Sequence, residues 1–495
     1  MLRHRIVPLG LILGVAACTG QGGMSGGIER IPVTTTTTSA RAAFERGQMM
    51  ADVNRGQEAN GQFRQATQQD PTFGYAYLMV ANTANSWAQF TEYLDLAAQN
   101  ADNMSDGEQL MLAISQTAVD NDNDRAYELA QELVGKYPRS PRAWMQLGFA
   151  QSSLKQEGDA RTSYTRATEI DPEFYAGWSA LGSSLIFLDP KDYAAGEEAM
   201  ASGLALIPGE AWAHINVGDA LRAGGDLAGA REHYTHATER DPTLGVAQSK
   251  RGHANSFLGN YEEARADYDG VSAEAIPFMR ANQLNFRAFI HLHEGNPQGA
   301  IDELRMLVGE IAGMGMDESS MNSALIFATG NMATIALHND LLGQAAELIG
   351  KLAILIRADA ARSGEAAIEA RQNANVALWE GRLAAHLGDW ETATALAEEN
   401  RTLRESDADP RKLNGYHALM GLIDLRQGNY TTAAEHYRQS NLDNPYNEFR
   451  LAQALEGAGE MEAANKLYAE VAGNYFNNVT IAVLQTELAE KTTME

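Results

Sequence analysis

Large apolar, small and polar residues alternate between positions 141 and 174 in an order that predicts two packed helices. The large side chains would fill the space between the helices, and the small ones would let the two backbones approach closely. Pro172 would end the second helix, because the residue before a proline, here Asp171, is pushed out of the helical region. Since one such pair cannot bury its apolar face alone, copies of it should stack along the chain. The large and small positions are Trp144, Leu147, Gly148, Ala160, Tyr164 and Ala167.

The same pattern returns along the chain. Prolines at 138, 172, 208, 242 and 277 are separated by 34, 36, 34 and 35 residues. A second signature marks the predicted turn inside each unit: a glycine, suited to a left-handed residue, with an alanine five residues later. These turns lie at Gly225/Ala230, Gly259/Ala264, Gly295/Ala300, Gly388/Ala393, Gly428/Ala433 and Gly459/Ala464. The candidates to cap the following helix are Asn260, Asn296, Asp389 and Asn429.

The order of residues in 141–174 resembles the tetratricopeptide repeat, a pair of antiparallel helices of 34 residues. The resemblance implies an all-α fold, a right-handed superhelical solenoid of about ten or eleven helix pairs. We predict an N-terminal array over 40–308, a glycine- and methionine-rich joint at 309–320, and a C-terminal array over 321–475. A capping helix and tail would occupy 476–495.

Two details of the array stay open at this point. Trp87, Phe90 and Tyr93 are core candidates in an irregular helical stretch. Arg251 and Arg287 stand where a leucine is usual in the repeat. Either the assigned register slips by one residue or two arginines line an interior seam, and we favour a slip or a side chain that extends its charged end into water.

The first residues have the pattern of an export signal. Arg3 and Arg5 precede an apolar run at 6–15, which is too short to span a bilayer comfortably. The sequence VAAC, ending at Cys18, resembles the bacterial lipobox, in which the cysteine carries lipid and becomes the mature N-terminus. We therefore predict a lipoprotein signal peptide at 1–17. A plain secretory signal or a short buried helix are the alternatives.

Residues 18–39 are rich in glycine and threonine and predict a flexible tether. Thr19 follows the cysteine at the place where an aspartate would, by family analogy, indicate inner-membrane retention. The expected location is thus the cell envelope, lipid-anchored, in the outer membrane facing the periplasm.

Charge and cysteine content exclude several classes of protein. Lysine and arginine number 38 against 65 acidic residues, a net charge of −27, which argues against nucleic-acid binding. Such a charge would attract a basic partner at low salt. Cys18 is the single cysteine, which excludes an intrachain disulfide framework and a cysteine-rich zinc site.

Histidines offer two places to look for a metal. His233 and His236, beside Glu232, have a spacing that could bind zinc, but a solvated helix face is the more ordinary interpretation. His291 and His293 are two apart, so on a helix they face different directions and cannot easily share a metal.

Calcium and copper are weaker candidates still. The aspartates in 120–124 begin like a calcium loop, but Arg125 replaces the glycine that such a loop needs. Thioethers near the joint could bind copper, although methionine more often fills gaps in a core. These methionines are Met306, Met314, Met316 and Met321. The chain carries no recognisable catalytic motif, and we predict no catalytic residue, no cofactor and no metal site.

In the family, the first helices of successive repeats line an inner groove that takes peptides or partner helices. Carried over position by position, the resemblance gives nine partner-binding candidates, of which Trp212 and the two phenylalanines could instead be displaced core residues. They are Arg142, Met145, Phe149, Trp212, Asp219, Arg222, His253, Asn285 and Phe289. The lysine–asparagine clamp by which some members hold peptide C-termini has no counterpart in this sequence.

These observations predict a non-catalytic scaffold or adaptor lipoprotein that binds other envelope proteins or peptides through its concave surface. One alternative is a subunit of an outer-membrane assembly, export or cell-wall machine. An alternative of another class is a metal-dependent envelope enzyme that uses the histidines.

Overall fold

The computed structural model describes residues 27–271, 277–407 and 409–492, and Cys18 with the predicted signal peptide lies outside these ranges. The described chain contains 25 α-helices and one 3-10 turn, Ala101–Asn103, and no β-strand. Successive helices pair, α1 with α2 through α23 with α24, and each pair contacts the next. This arrangement confirms the predicted all-α solenoid of stacked helix pairs.

Helix bounds in the first half are α1 (Thr38–Asp52), α2 (Gly56–Gln69), α3 (Gly74–Asn82), α4 (Trp87–Gln99), α5 (Asp106–Asp120), α6 (Asn123–Lys136), α7 (Pro141–Ser153), α8 (Glu157–Ile170), α9 (Tyr175–Phe187), α10 (Tyr193–Leu206), α11 (Ala211–Ala223) and α12 (Leu227–Arg240). The second half contains α13 (Gly245–Phe257), α14 (Tyr261–Asp269), α15 (Pro277–His293), α16 (Pro297–Ile311), α17 (Glu318–His338), α18 (Leu342–Ser363), α19 (Ala366–Leu387), α20 (Trp390–Leu403), α21 (Asn414–Gln427), α22 (Tyr430–Arg438), α23 (Pro445–Gly457), α24 (Met461–Ala472) and α25 (Val479–Thr492). None of these described helices is both long and apolar enough to cross a membrane.

Where the two helices of a pair pack together, a glycine of the first helix contacts an aromatic ring of the second. We call this contact region the seam. A Cβ atom added to Gly148 would lie 2.3 Å from the Tyr164 ring, so glycine is required for this close approach. Ala160 and Ala167 are fully buried beside it, as the sequence pattern predicted. The same contact recurs in four further pairs: Gly47 with Phe63, Gly218 with Tyr234, Gly252 with Tyr268 and Gly421 with Tyr437.

The turns inside the pairs also follow the prediction. All six predicted turn glycines have a positive φ, from 72° at Gly295 to 91° at Gly225, a conformation that side chains larger than glycine rarely adopt. Asn296 and Asp389 cap the next helix through their side chains, accepting hydrogen bonds from Gly299 N at 2.9 Å and Thr392 N at 3.1 Å. The side chains of Asn260 and Asn429 make no such cap.

The centre of the chain departs from the repeat. Helices α17, α18 and α19 have 21, 22 and 22 residues, whereas α7 and α8 have 13 and 14. The predicted joint at 309–320 is reduced to a short loop, because α16 continues to Ile311 and α17 begins at Glu318. Asp317 starts α17 by accepting a hydrogen bond from Ser320 N at 3.0 Å.

The end of the predicted tether is ordered. Ile31 is 6% exposed and belongs to the core beneath α1 to α6. Thr34 N donates to Glu108 Oε1 at 2.8 Å, and the Thr35 hydroxyl donates to Asp70 at 2.5 Å. The prediction of a tether without packing is therefore wrong for residues 29–37, because their hydroxyls find carboxylate acceptors on α5 and after α2.

One predicted core residue is exposed. Trp87, the first residue of α4, is 59% exposed and stacks on Phe90 with ring centres 5.0 Å apart. Phe90 and Tyr93 pack against the N-terminal core, as expected. Trp87 lies outside it because it begins a helix immediately after the capping residue Ser86.

The two unusual arginines have a common explanation. Arg251 pairs with Asp267 at 2.6 Å, and Arg287 pairs with Glu303 at 2.7 Å, each partner lying 16 residues further along the chain. Gly252 faces Tyr268 as the repeat requires, so the register does not slip. The slip was wrong. Each arginine pairs with an acidic residue on the second helix, and the side chains of Arg251 and Arg287 remain 25% and 29% exposed, so their charged ends reach water, as the other favoured interpretation held.

The last described helix contacts helices from both the end and the middle of the array. Helix α25 packs against α23 and α24 and also against α15 and α17, which belong to much earlier pairs. Its apolar residues Ile481 and Leu484 are fully buried in the core cluster that these helices share. The segment between α24 and α25, residues 473–478, is thereby placed against the first helices of the middle pairs.

Candidate protein-binding groove

Three of the predicted binding residues lie together in an accessible groove. Arg142, Met145 and Phe149, all on α7, line a cavity of about 690 Å³ that we call the open groove. The first helices of five successive pairs, α1, α3, α5, α7 and α9, supply most of its wall. On α9, the repeat positions equivalent to these three are occupied by small residues that also line the groove: Ala176, Ser179 and Ser183.

Among the large residues of this groove that sequence reasoning missed are Met79, Met111 and Phe187. Met79 on α3 and Met111 on α5 were missed because the repeat pattern before 141 is too irregular to number these helices. Phe187, the last residue of α9, lies one residue beyond the numbered groove positions. Phe149 and Phe187 are 45% and 44% exposed, so the groove offers two aromatic side chains to solvent.

The charges of the open groove neutralise each other. Arg142 donates two hydrogen bonds to the Asp52 carboxylate, at 2.9 and 2.5 Å, and its guanidinium carbon lies 5.2 Å from the Phe174 ring centre. These two residues are the only charged ones among those lining the groove. A bidentate pair of this kind fixes Arg142 in place and leaves no free cation to attract a carboxylate.

Asp219, Arg222 and His253 face a second part of the groove, which the chain itself fills. They lie on α11 and α13 and are only 8%, 3% and 8% exposed. The ring of Phe476 covers Arg222, with the guanidinium carbon 4.3 Å from the ring centre. We call this part, between α9 and α15, the occupied groove. The prediction that these residues are free to bind a partner is therefore wrong in this conformation.

A network of charged and polar side chains centred on Asp219 holds Arg222 in the occupied groove. The Asp219 carboxylate accepts hydrogen bonds from the Tyr234 hydroxyl at 2.7 Å, from Lys250 at 2.7 and 2.8 Å, and from Arg222 at 3.3 Å. Burial lowers the pKa of Lys250, and Asp219 opposes this. Two cations thus share one carboxylate, which fixes the position of Arg222.

A second network ends on the 473–478 segment. The His253 Nδ1 atom lies 2.8 Å from the Tyr268 hydroxyl, and the Asn477 side-chain amide lies 3.4 Å from the same hydroxyl. His293 Nε2 lies 3.4 Å from Asn477 Oδ1. Burial lowers the pKa of His293 to about 4 and that of His253 well below its usual range, so both rings are neutral at neutral pH.

Two of the remaining predicted residues belong to the core, and the third, Trp212, packs at its edge. Phe289 is fully buried, and Asn285 is 1% exposed, donating to the Ala281 carbonyl at 2.9 Å and accepting from Asn331 at 2.9 Å. Trp212 packs in a cluster with Ile215 and neighbouring alanines. The prediction of groove positions was wrong for Asn285 and Phe289, which α15 turns towards neighbouring helices, whereas Trp212 is only partly buried.

The histidines on α12 meet a third one from α11. His214 Nε2 lies 3.3 Å from the Pro208 carbonyl, and its Nδ1 lies 3.2 Å from His233 Nδ1. Burial lowers the pKa of His214 to about 4. An equivalent pair, His417 and His436, has its Nδ1 atoms 3.0 Å apart. In the described part of the chain, no group of three or more His, Cys, Asp or Glu side chains is arranged to hold a metal ion.

The other metal candidates have structural roles. The Asp122 side chain caps α6 by accepting a hydrogen bond from Arg125 N at 3.0 Å. Met306 is 62% exposed on α16, whereas Met314, Met316 and Met321 pack against the core. His291 pairs with Glu303 at 3.0 Å, away from the His293 contact with Asn477.

Comparison with known proteins agrees with this architecture. Residues 109–140 and 141–174 each match the tetratricopeptide repeat family. A stretch of 126 residues, 26% of this chain, is 29% identical to Protein bimA of Emericella nidulans and spans 15% of that protein's length. Residues 109–174 are thus tetratricopeptide repeats by sequence as well as by structure.

Solved structures with similar helix pairs include MamA from Desulfovibrio magneticus RS-1 and the APC/C hetero-tetramer Cut9-Hcn1. The MamA structure is 18% identical, with a TM-score of 0.30. The matched region covers 34% of this chain and 94% of the MamA chain. The Cut9-Hcn1 chain is 15% identical, with a TM-score of 0.38, and covers 87% of this chain and 76% of its own. These scores are low, so the assignment rests on the sequence matches and on the helix pairing above.

Proposed function

We propose that this tetratricopeptide-repeat protein is a non-catalytic scaffold that binds an apolar, uncharged segment of a partner protein in its open groove. The observation that carries the proposal is the pair of exposed rings, Phe149 and Phe187, beside Met145 in a groove with no unpaired charge. Exposed apolar side chains clustered in a concavity are typical of interaction sites.

The chemistry of the open groove selects among partners. Burying an exposed phenylalanine on association contributes roughly 1–2 kcal/mol, and a flexible methionine adapts to the shape of the incoming side chain. A charged segment would lose hydration without gaining a counterion, because Arg142 and Asp52 already satisfy each other. An apolar helix face or extended segment therefore fits this groove better than a basic or acidic peptide.

Two phenylalanines of equal exposure test the site. Phe149 is 45% exposed in the open groove, and Phe327 is 43% exposed on α17, outside it. A photo-crosslinking residue at Gln146, which also lines the groove, would identify the partner in cells by mass spectrometry. With the purified partner, Phe149→Ala should weaken binding by about tenfold or more, whereas Phe327→Ala should leave it unchanged. Equal loss from both variants, with both still folded, would contradict the proposal.

We also propose that the scaffold is held in the bacterial envelope by a lipid on Cys18. Support comes from the sequence: the basic start, the short apolar run at 6–15 and the VAAC sequence at the expected processing site. Cells fed an alkyne-bearing fatty acid should label the wild-type protein, and Cys18→Ser should remove the label. Labelling of the variant at the wild-type level would refute the anchor while leaving the groove proposal intact.

A further inference from the structure

The occupied groove holds a short extended piece of the same chain. Residues 473–478, with the sequence GNYFNN, lie between α24 and α25 and place three consecutive side chains against four first helices. The ring of Tyr475 lies 5.5 Å from that of Phe257 on α13. Phe476 contacts Phe187 on α9 at 5.6 Å and Arg222 on α11 at 4.3 Å. Asn477 reaches His293 on α15.

The surroundings of Arg222 favour contact with an aromatic ring. It is 3% exposed, Asp219 holds its guanidinium from one side, and its Nε atom has no hydrogen-bond partner. A desolvated guanidinium over an aromatic face is a favourable cation–π contact. Small apolar residues on α11, Val217 and Ala220, complete the pocket around Phe476. The site therefore selects an aromatic side chain by charge and by shape.

The next position selects a carboxamide. Asn477 is 7% exposed, and its amide nitrogen donates to the Tyr268 hydroxyl while its oxygen faces His293 Nε2, both at 3.4 Å. The Tyr268 hydroxyl can accept this bond and donate its own proton to the neutral His253 ring, whose Nδ1 atom lies 2.8 Å away. An aspartate has no amide proton to donate to Tyr268 and would bury a charge, so it should be rejected.

Helices α24 and α25 hold the two ends of this segment, and between them it contacts the groove through its side chains. Its described main-chain hydrogen bonds are local. Gly473 N donates to the Ala469 carbonyl, Asn474 N to the Val471 carbonyl and Phe476 N to Asn474 Oδ1, and the Asn478 carbonyl accepts from Ala482 N. Within the described residues, no main-chain bond joins 473–478 to α9, α11, α13 or α15. A segment from another protein with the same side chains could therefore make the same contacts.

We propose that the occupied groove is a binding site for an extended peptide with two aromatic residues followed by asparagine, and that Tyr475, Phe476 and Asn477 are its resident, exchangeable ligand. A partner with this pattern displaces the resident segment. Phe187 joins the two parts of the groove, because it lines the open groove and contacts Phe476. This site is distinct from the open groove and takes a different ligand.

A peptide competition experiment tests the site directly. The full chain carrying Phe476→Ala and Asn477→Ala is titrated into fluorescein-labelled GNYFNN, and binding is followed by anisotropy. The variant should bind the peptide saturably, and the wild type at least about tenfold more weakly, since its tethered segment acts at a high effective concentration. A peptide with aspartate at the position of Asn477 should lose about tenfold or more. Equal binding of the two peptides, or none to a folded variant, overturns the proposal.

A milder variant covers the case in which the double variant does not fold. Asn477→Asp in the intact chain should release the segment, and hydrogen exchange should become faster in 473–478, α13 and α15. Exchange in α1 to α8 should stay at the wild-type rate, because the segment's described ring contacts and side-chain hydrogen bonds go to helices from α9 to α15. Unchanged exchange in α13 and α15 would also overturn the proposal.

Discussion

The guanidinium of Arg222 lies directly beneath the ring of Phe476, at 4.3 Å, although the two residues belong to distant repeats. This contact divides the inner surface of the solenoid into an open groove and an occupied groove. Repeat proteins are often treated as rows of units that contact only their neighbours. Here α25 and the 473–478 segment add contacts between pairs that are far apart in the row.

The Asp219 network should be among the largest single contributors to stability in the middle repeats. Asp219→Ala leaves the buried Arg222 and the partly buried Lys250 without their shared carboxylate, at an expected cost of about 3–5 kcal/mol in the free energy of unfolding. Glu169→Ala, which breaks an exposed pair with Arg166, should cost less than about 1 kcal/mol. Urea titrations of both variants make the comparison, and similar costs would contradict the assigned network.

Gly148 should not tolerate a side chain. Its added Cβ would lie 2.3 Å from the Tyr164 ring, so Gly148→Ala should destabilise the protein by about 1–3 kcal/mol despite the better helix propensity of alanine. Gly350, in the middle of α18, is the matched control, because nothing lies within 4 Å of its added Cβ. Gly350→Ala should stabilise by up to about 1 kcal/mol in thermal or urea unfolding. If both variants lose stability, the close contact between Gly148 and Tyr164 does not explain the effect of Gly148→Ala.

Acidification should loosen the occupied groove through His293. Burial lowers its pKa to about 4, so the unfolded chain takes up this proton first as pH falls. The stability that the neutral ring contributes is present above about pH 6.5 and is lost between about pH 6.5 and 4, by at most about 3 kcal/mol. His293→Gln should flatten this part of the stability–pH curve and leave the value near pH 8 little changed. A curve parallel to that of the wild type would contradict the assignment.

Glu448 should make the folded chain less stable as the pH rises, which is opposite to the effect of His293. It lines a cavity of about 820 Å³ between the C-terminal helices and residues 186–193, together with Glu470, Asp189 and Lys191. Burial and the neighbouring Glu470 raise its pKa to about 7. The protonated carboxyl stabilises the folded chain. This stabilisation is complete below about pH 4.5 and is lost as the pH rises to about 7.

Removing either carboxylate tests this prediction. Glu448→Gln should be more stable than the wild type above pH 7 and similar to it near pH 4.5, measured as melting temperature against pH. Glu470→Gln should have part of the same effect, because it removes the like charge beside Glu448. If the difference between variant and wild type is the same at all pH values, Glu448 does not titrate as described.

Several features of the site followed from short-range patterns. Position counting from Pro141 placed Arg142, Met145 and Phe149 on one face of α7, and all three line the open groove. The same counting failed for Asn285 and Phe289, which are buried. It failed there because both side chains meet other helices. Asn285 accepts a hydrogen bond from Asn331 on α17, and Phe289 belongs to the core cluster that also contains residues of α25.

The sequence by itself determined the repeat unit. Gly148 against Tyr164 and the positive-φ turn at Gly225 depend on residues within one helix pair, so spacing alone specifies them. Only the tertiary structure decided that Thr34 binds Glu108 and that Phe476 covers Arg222. The first contact joins residues 74 apart, and the second joins α11 to the segment after α24. Both depend on where stacked pairs lie in space, and no short-range pattern in GNYFNN records that position.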